Sequence, residues 1–149
     1  MEKRQITAGQ LVSRWRFAIL LPVLTCCLAA VGRSVWDGVY TKEQAARGQT
    51  EYLQECARCH GQNLGGGEVA PALAGDEFLQ KWDGKSVGEL LEHSMSTMPT
   101  DDPGSLAHRQ YADVTAYILS ANEFPAGPKD LDSSPDKLQD VAISAKEKK

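Results

Sequence analysis

Cys56, Cys59 and His60 stand together as Cys56-Ala57-Arg58-Cys59-His60, and this cluster restricts the fold more than any other feature of the 149-residue chain. Two cysteines separated by two residues are too close to staple a loop, so the pair has a chemical role. A redox C-x-x-C belongs in a βαβ setting. Here the pair closes a helical pattern, precedes a glycine-rich loop, and lies in a chain with no convincing period-two alternation. A zinc site needs two further ligands, and the remaining candidates, His93 and His108, have no partner cysteines. The third use of the spacing is C-x-x-C-H, the attachment signal for c-type haem.

The spacing has a mechanical reason. The last turn of a helix and the bend after it place both thiols under one face of a porphyrin, where each forms a thioether with a vinyl group. His60, next in the chain, is then held beneath the iron. One motif implies one covalent haem c per chain. The second ring nitrogen of His60 should donate to a backbone carbonyl that sets its orientation and basicity, and Pro71 is the candidate because its C=O is free to accept.

The sixth position of the iron decides function. Met95 and Met98 lie shortly after the second helical pattern, with His93 and His108 flanking them. A thioether favours ferrous over ferric iron and raises the potential, which suits electron transfer. Met98 is preferred because Pro99 follows it, so the helix has stopped and the backbone can aim the side chain. Met95 instead fits a buried stripe with Leu91. A gap-filling role for Met98, a histidine ligand and an open site are the alternatives.

The pattern along the chain is helical. Thr41 and Gln44 have capping-box spacing, and Ala45, Gly48, Tyr52, Leu53 and Cys56 follow at helical intervals. From Gly61 to Gly75 the density of glycine, asparagine and proline excludes regular structure and predicts a loop that follows a curved object closely. Ser86 and Glu89 open a second helix carrying Val87, Leu90, Leu91 and Met95, which Pro99 forbids from continuing. A third runs from about Ser105 or Leu106 to Ser120, with Tyr111, Val114, Tyr117, Ile118 and Ala121 on one face. Residues 33–40 read as a connector. Residues 128–149 read as a charged, largely irregular tail with at most a short helix near Lys137 to Ile143. The compact part, residues 41–127, is so short that side chains alone give a marginal core, and a cofactor is expected to complete it.

Residues 1–32 read as an export signal: Lys3, Arg4, Arg14 and Arg16 precede an uncharged run from Phe17 to Val31, with a small-residue end at Gly32. The run is shorter than the about 20 residues of a full membrane span. Cleavage after Gly32 is therefore expected, with an uncleaved anchor as the alternative. Cys26 and Cys27 belong to this segment. The whole chain has a net charge of -4, and residues 33–149 carry 12 basic against 19 acidic residues, a net -7. Such acidity disfavours nucleic acid and anionic lipid as partners, and leaves the membrane as a partner only through an uncleaved leader. No Ser-His-Asp set, paired catalytic carboxylates or phosphate loop appears in the sequence.

Across residues 41–127 the sequence resembles the small monohaem class I c-type cytochromes. The resemblance is carried by Gly48-x-x-x-Tyr52-x-x-x-Cys56-x-x-Cys59-His60, by Ala70-Pro71-Ala72-Leu73-Ala74-Gly75, by Met98-Pro99 and by Tyr111-Ala112-Asp113-Val114-x-Ala116-Tyr117-Ile118-Leu119. A closing Asn122-Glu123-Phe124-Pro125-Ala126-Gly127 looks like that of a bacterial periplasmic subgroup. The resemblance implies an all-α, cytochrome c-like fold with three main helices and loops around one haem. The first and last helices should cross at near right angles where Gly48 allows close approach, with Tyr52 packing near Tyr117. It also implies Pro71, Leu73 and Trp82 as pocket residues, Trp82 reaching a haem propionate through its indole N–H or, alternatively, remaining a partly exposed aromatic. The function implied is periplasmic transfer of single electrons, between a quinoprotein or other periplasmic dehydrogenase and a terminal acceptor. A haem subunit of a dehydrogenase complex and a five-coordinate haem enzyme or gas sensor are the rival readings.

Overall fold

The computed structural model describes residues 32–145. Apart from Gly32, the expected leader with Cys26 and Cys27 lies outside the described residues, as do residues 146–149. Among the described residues, five α-helices follow one another: α1 (Lys42–Glu55), α2 (Ala57–His60), α3 (Asp76–Trp82), α4 (Val87–Thr97) and α5 (His108–Ala121). Short 3-10 turns occupy Val35–Asp37 and Pro135–Leu138. Among the described residues, β-structure is limited to two isolated bridges, Ser34 with Ala142 and Ser86 with Ala142.

The helix starts follow from their caps. Ser86 and Glu89 form the complete box: Ser86 Oγ accepts from the Glu89 N–H at 3.0 Å, and Glu89 Oε2 accepts from the Ser86 N–H at 2.7 Å. The Thr41 box is only half made. Thr41 Oγ1 accepts from the Gln44 N–H, but the Gln44 side chain does not turn back. It is buried, and its amide brackets one backbone unit of Leu131, with Nε2 donating to Leu131 O at 3.1 Å and Oε1 accepting from Leu131 N at 2.6 Å. A buried amide side chain needs both partners, and Leu131 supplies them. Helix α5 begins at His108, a little later than its apolar pattern suggests, because the Gln110 side chain caps the Ala107 N–H at 2.9 Å. Helix α3 has no counterpart in the sequence reading. At seven residues with only Phe78 and Trp82 buried, it is too short for a periodic signal.

Helices α1 and α5 form the frame. Gly48 is indispensable at their contact, since a Cβ there would stand 1.8 Å from Asp113 O. Beside it, the buried Asp113 carboxylate accepts two hydrogen bonds from Arg47, which also donates to Asp130. The Tyr52 and Tyr117 rings meet with centroids 5.4 Å apart.

The segments expected to be a connector and an irregular tail are mostly irregular in backbone, yet they are part of the core. Val35, Tyr40, Leu131, Leu138, Val141 and Ile143 are all buried, three of them with no exposed surface. Residues 141–143 run extended between the 33–35 segment and the start of α4. Backbone bonds join Val35 N to Ala142 O, Ala142 N to Arg33 O, Val87 N to Val141 O and Ile143 N to Lys85 O. The physical reason is that Val141 and Ile143, two apart in an extended strand-like stretch, point to the same side. The surrounding charges point outward and dominate the composition, which hid this pattern.

Candidate haem site

Helix α1 stops at Glu55, and Cys56 N–H still bonds Tyr52 O at 2.9 Å. The single turn of α2 then carries Cys59 and His60 round the bend, with His60 N bonding Cys56 O at 3.0 Å. Gly61, at φ 78°, lets the chain turn away, and Tyr52 Oη donates to Gly61 O at 2.6 Å. Both thiols are free and half-buried. Burial, reinforced by nearby acidic groups and the Cys59 thiol, pushes the Cys56 thiol up to about 11. A redox dithiol needs a depressed thiol pKa, so the Cys56 environment is wrong for that chemistry. Among the described residues, no group of three or more His, Cys, Asp or Glu side chains stands together.

The glycine-rich segment folds back over His60. His60 is buried, and its Nδ1 lies 2.8 Å from Pro71 O. A carbonyl only accepts, so Nδ1 carries the proton and Nε2 keeps its lone pair for a ligand bond. The fold-back is tight. His60 O accepts from Gly66 N at 2.8 Å, and a Cβ at Gly66 (φ 70°) would lie 2.5 Å from Ala72 N. Asn122, just past α5, clamps the far end: Oδ1 accepts from Gly75 N and Nδ2 donates to Leu73 O, each at 2.9 Å.

These elements surround a cleft of about 940 Å³, part of it open to solvent. Cys56, Cys59, His60 and Pro71 line it together with the apolar side chains of Leu90, Leu106, Val114 and Ile118. Leu73 and Trp82 also line it. Trp82 is buried rather than a partly exposed aromatic, with the Lys81 and Lys85 ammonium groups 5.6 and 5.0 Å from its ring centroid. Of the four candidates for the sixth position, Met98 and His93 line the cleft. Met95 packs against the core, and His108 is exposed on the first turn of α5. His93 sits with its ring 5.7 Å from that of Trp82, and burial together with Lys81 and Lys85 lowers its pKa. Met98 is the C-cap of α4 in an extended conformation, where the helix has released its backbone.

The donor set fits haem c: two adjacent thiols, a histidine oriented with one nitrogen free, a thioether on the same cleft, and apolar walls for a porphyrin. Sequence reasoning missed several wall residues because they read as ordinary core. Val114 and Ile118 were visible as an i, i+4 pair, but nothing marked that pair as facing a cleft. Tyr111, which also lines the cleft, was recognised only as a member of the α5 stripe.

An all-α chain with a C-x-x-C-H turn opening on an apolar cleft is a c-type cytochrome domain. The profile of the family described as cytochrome c oxidase, cbb3-type, subunit III, matches residues 43–118, and the chain belongs to that family. It is an electron-transfer protein that binds haem c covalently, and Cys56 and Cys59 fit the attachment motif. The chain is also 31% identical over 100 residues to a thiosulfate dehydrogenase of Stutzerimonas stutzeri (strain A1501), covering 63% of this chain and 32% of that protein. It thus spans about a third of that relative's length. Among solved structures, the sulfane dehydrogenase SoxCD from Paracoccus pantotrophus is 21% identical with a TM-score of 0.47, over 72% of this chain and 61% of that one.

Proposed function

We propose that the chain is a periplasmic carrier of single electrons, exported by residues 1–32, with His60 Nε2 and Met98 Sδ as the axial ligands of its haem iron. The observation that carries the reading is the single cleft that brings together both thiols, His60 and Met98. Haem c supplies the ferric/ferrous couple. The protein's part is to fix and tune it. The Pro71 carbonyl orients the His60 ring. The apolar lining limits water, and the soft Met98 thioether favours the reduced form. Trp82, with Lys81 and Lys85 beside it, forms a donor-rich wall suited to a propionate.

With His60 and Met98 both holding the iron there would be no vacancy for a substrate, which favours a carrier over an enzyme. A net charge of -7 over residues 33–149 suits a partner with a basic docking patch, met through the small interface of below about 1,200 Å² typical of redox encounters. A quinoprotein or other periplasmic dehydrogenase is the proposed donor. A second reading, a haem subunit held within a dehydrogenase complex, is favoured by the similarity to one part of a longer thiosulfate dehydrogenase. Co-purification with a large subunit distinguishes it from a free carrier.

Replacing Met98 by alanine tests the ligand assignment. Because axial ligand identity moves haem potentials over a range of about 0.8 V, Met98→Ala is expected to lower the midpoint in a potentiometric titration by on the order of 100 mV or more. An unchanged midpoint refutes the assignment.

A further inference from the structure

We propose that Tyr111 is the positioning residue for Met98, holding the sulfur in reach of the iron by anchoring the backbone carbonyl of the same residue. This rests on the reading of Met98 as the sixth ligand and adds to it the group that keeps it in place.

Met98 stands on the cleft wall at the point where α4 has ended. Its N–H still bonds Ser94 O at 3.0 Å, but its φ of -125° and ψ of 152° take the chain out of α4. A carbonyl released at a helix end needs a new partner. Met98 O accepts from Tyr111 Oη at 2.6 Å and from Gly104 N at 3.2 Å. The second bond only closes the 98–104 loop on itself. The loop's other ties are weak or local: Asp102 N to Pro99 O, Ser105 N to Asp102 O, and the Arg58–Asp101 ion pair, whose side chains are 76% and 65% exposed. Exposed pairs of that kind contribute little.

Tyr111 is of another kind. It is 3% exposed, its ring lines the cleft, and it sits in the first turn of α5 with its own carbonyl accepting from Thr115 Oγ1 at 2.8 Å. Two residues further on, α5 is locked against Gly48 of α1, and α1 leads directly into Cys56. The Tyr111 hydroxyl therefore ties Met98 to the same rigid pair of helices that carries the thiols. Tyr111→Phe keeps the ring and the cleft wall and removes only the donor. The Met98 carbonyl is then left with Gly104 alone, and the loop can swing the sulfur away.

Carbon monoxide competes with Met98 for ferrous iron, so its apparent affinity reports the fraction of molecules in which the sulfur has left. In the haem-loaded full chain, Tyr111→Phe is expected to raise that affinity about tenfold, the equivalent of about 1.4 kcal/mol. The control is Tyr40→Phe, which deletes a comparable buried hydroxyl bonded to Phe124 O, remote from the cleft lining. It is expected to leave the affinity at the wild-type value. A Tyr111→Phe affinity equal to wild type, or a rise shared equally by Tyr40→Phe, overturns the positioning role. Met98→Ala separates the two levels. If it opens the iron while Tyr111→Phe does nothing, only the positioning role fails; if it leaves carbon monoxide affinity unchanged, the ligand assignment itself fails.

Discussion

Replacing Cys56 and Cys59 together by alanine is expected to yield a chain whose haem is extracted by acidified organic solvent, and which without haem loses its cooperative thermal transition. Both thiols stand on the wall of the cleft, where they can bond covalently to a porphyrin edge. His60 and Met98 would remain to bind the iron reversibly, but reversible binding stabilises only while free haem exceeds the dissociation constant. With the group gone, the cleft lined by Leu90, Leu106, Val114 and Ile118 is left unfilled, and α4 and α5 lose the object they pack around. A domain this short has little surplus stability to absorb that loss. Circular dichroism melting of the extracted variant measures the effect. A well-folded, haem-free protein with a sharp transition contradicts the claim that the cofactor completes the core.

Ending the chain after Gly127 is expected to lower the melting temperature of the holoprotein by more than about 20 °C. The cut removes Leu131, Leu138, Val141 and Ile143, all 4% exposed or less. A single fully buried isoleucine or leucine truncated to alanine costs about 2–5 kcal/mol, and 1 kcal/mol corresponds to about 4–8 °C in a domain of about 60–100 residues. The cut also strips both hydrogen-bond partners from the buried Gln44 amide, which costs about 1–3 kcal/mol if water does not replace them. The Val35 and Val87 faces, which the 141–143 stretch covers, become exposed. A melting curve that matches the full-length holoprotein contradicts the packing of this segment, and shows it to be a passive tail.

The chemistry of this chain was legible where it is local. Five consecutive residues specify the attachment turn, and Ser86 with Glu89 specifies the start of α4, because each depends on neighbours within one helical turn. Gly48 was legible through the resemblance, and the structure supplies its reason in the 1.8 Å contact a Cβ would make. What the sequence hid depends on distant partners. The Gln44 amide looked like half of a cap, because its partner Leu131 is 87 residues away. The 128–145 segment looked like solvent-facing tail, because four aliphatic residues scattered among charges have no helical period. Tyr111 could be seen as core, but not as a donor to Met98 O, since a loop intervenes between α4 and α5.

The central claim is that this chain places a protein ligand on each side of one covalent haem, and so carries electrons without binding a substrate at the iron. Mixing the wild-type ferrous protein with carbon monoxide and following the absorption spectrum tests it most directly. The expected result is slow, incomplete binding limited by departure of Met98 from the iron. Rapid, tight binding with no displaced ligand contradicts the account and identifies an open, five-coordinate site.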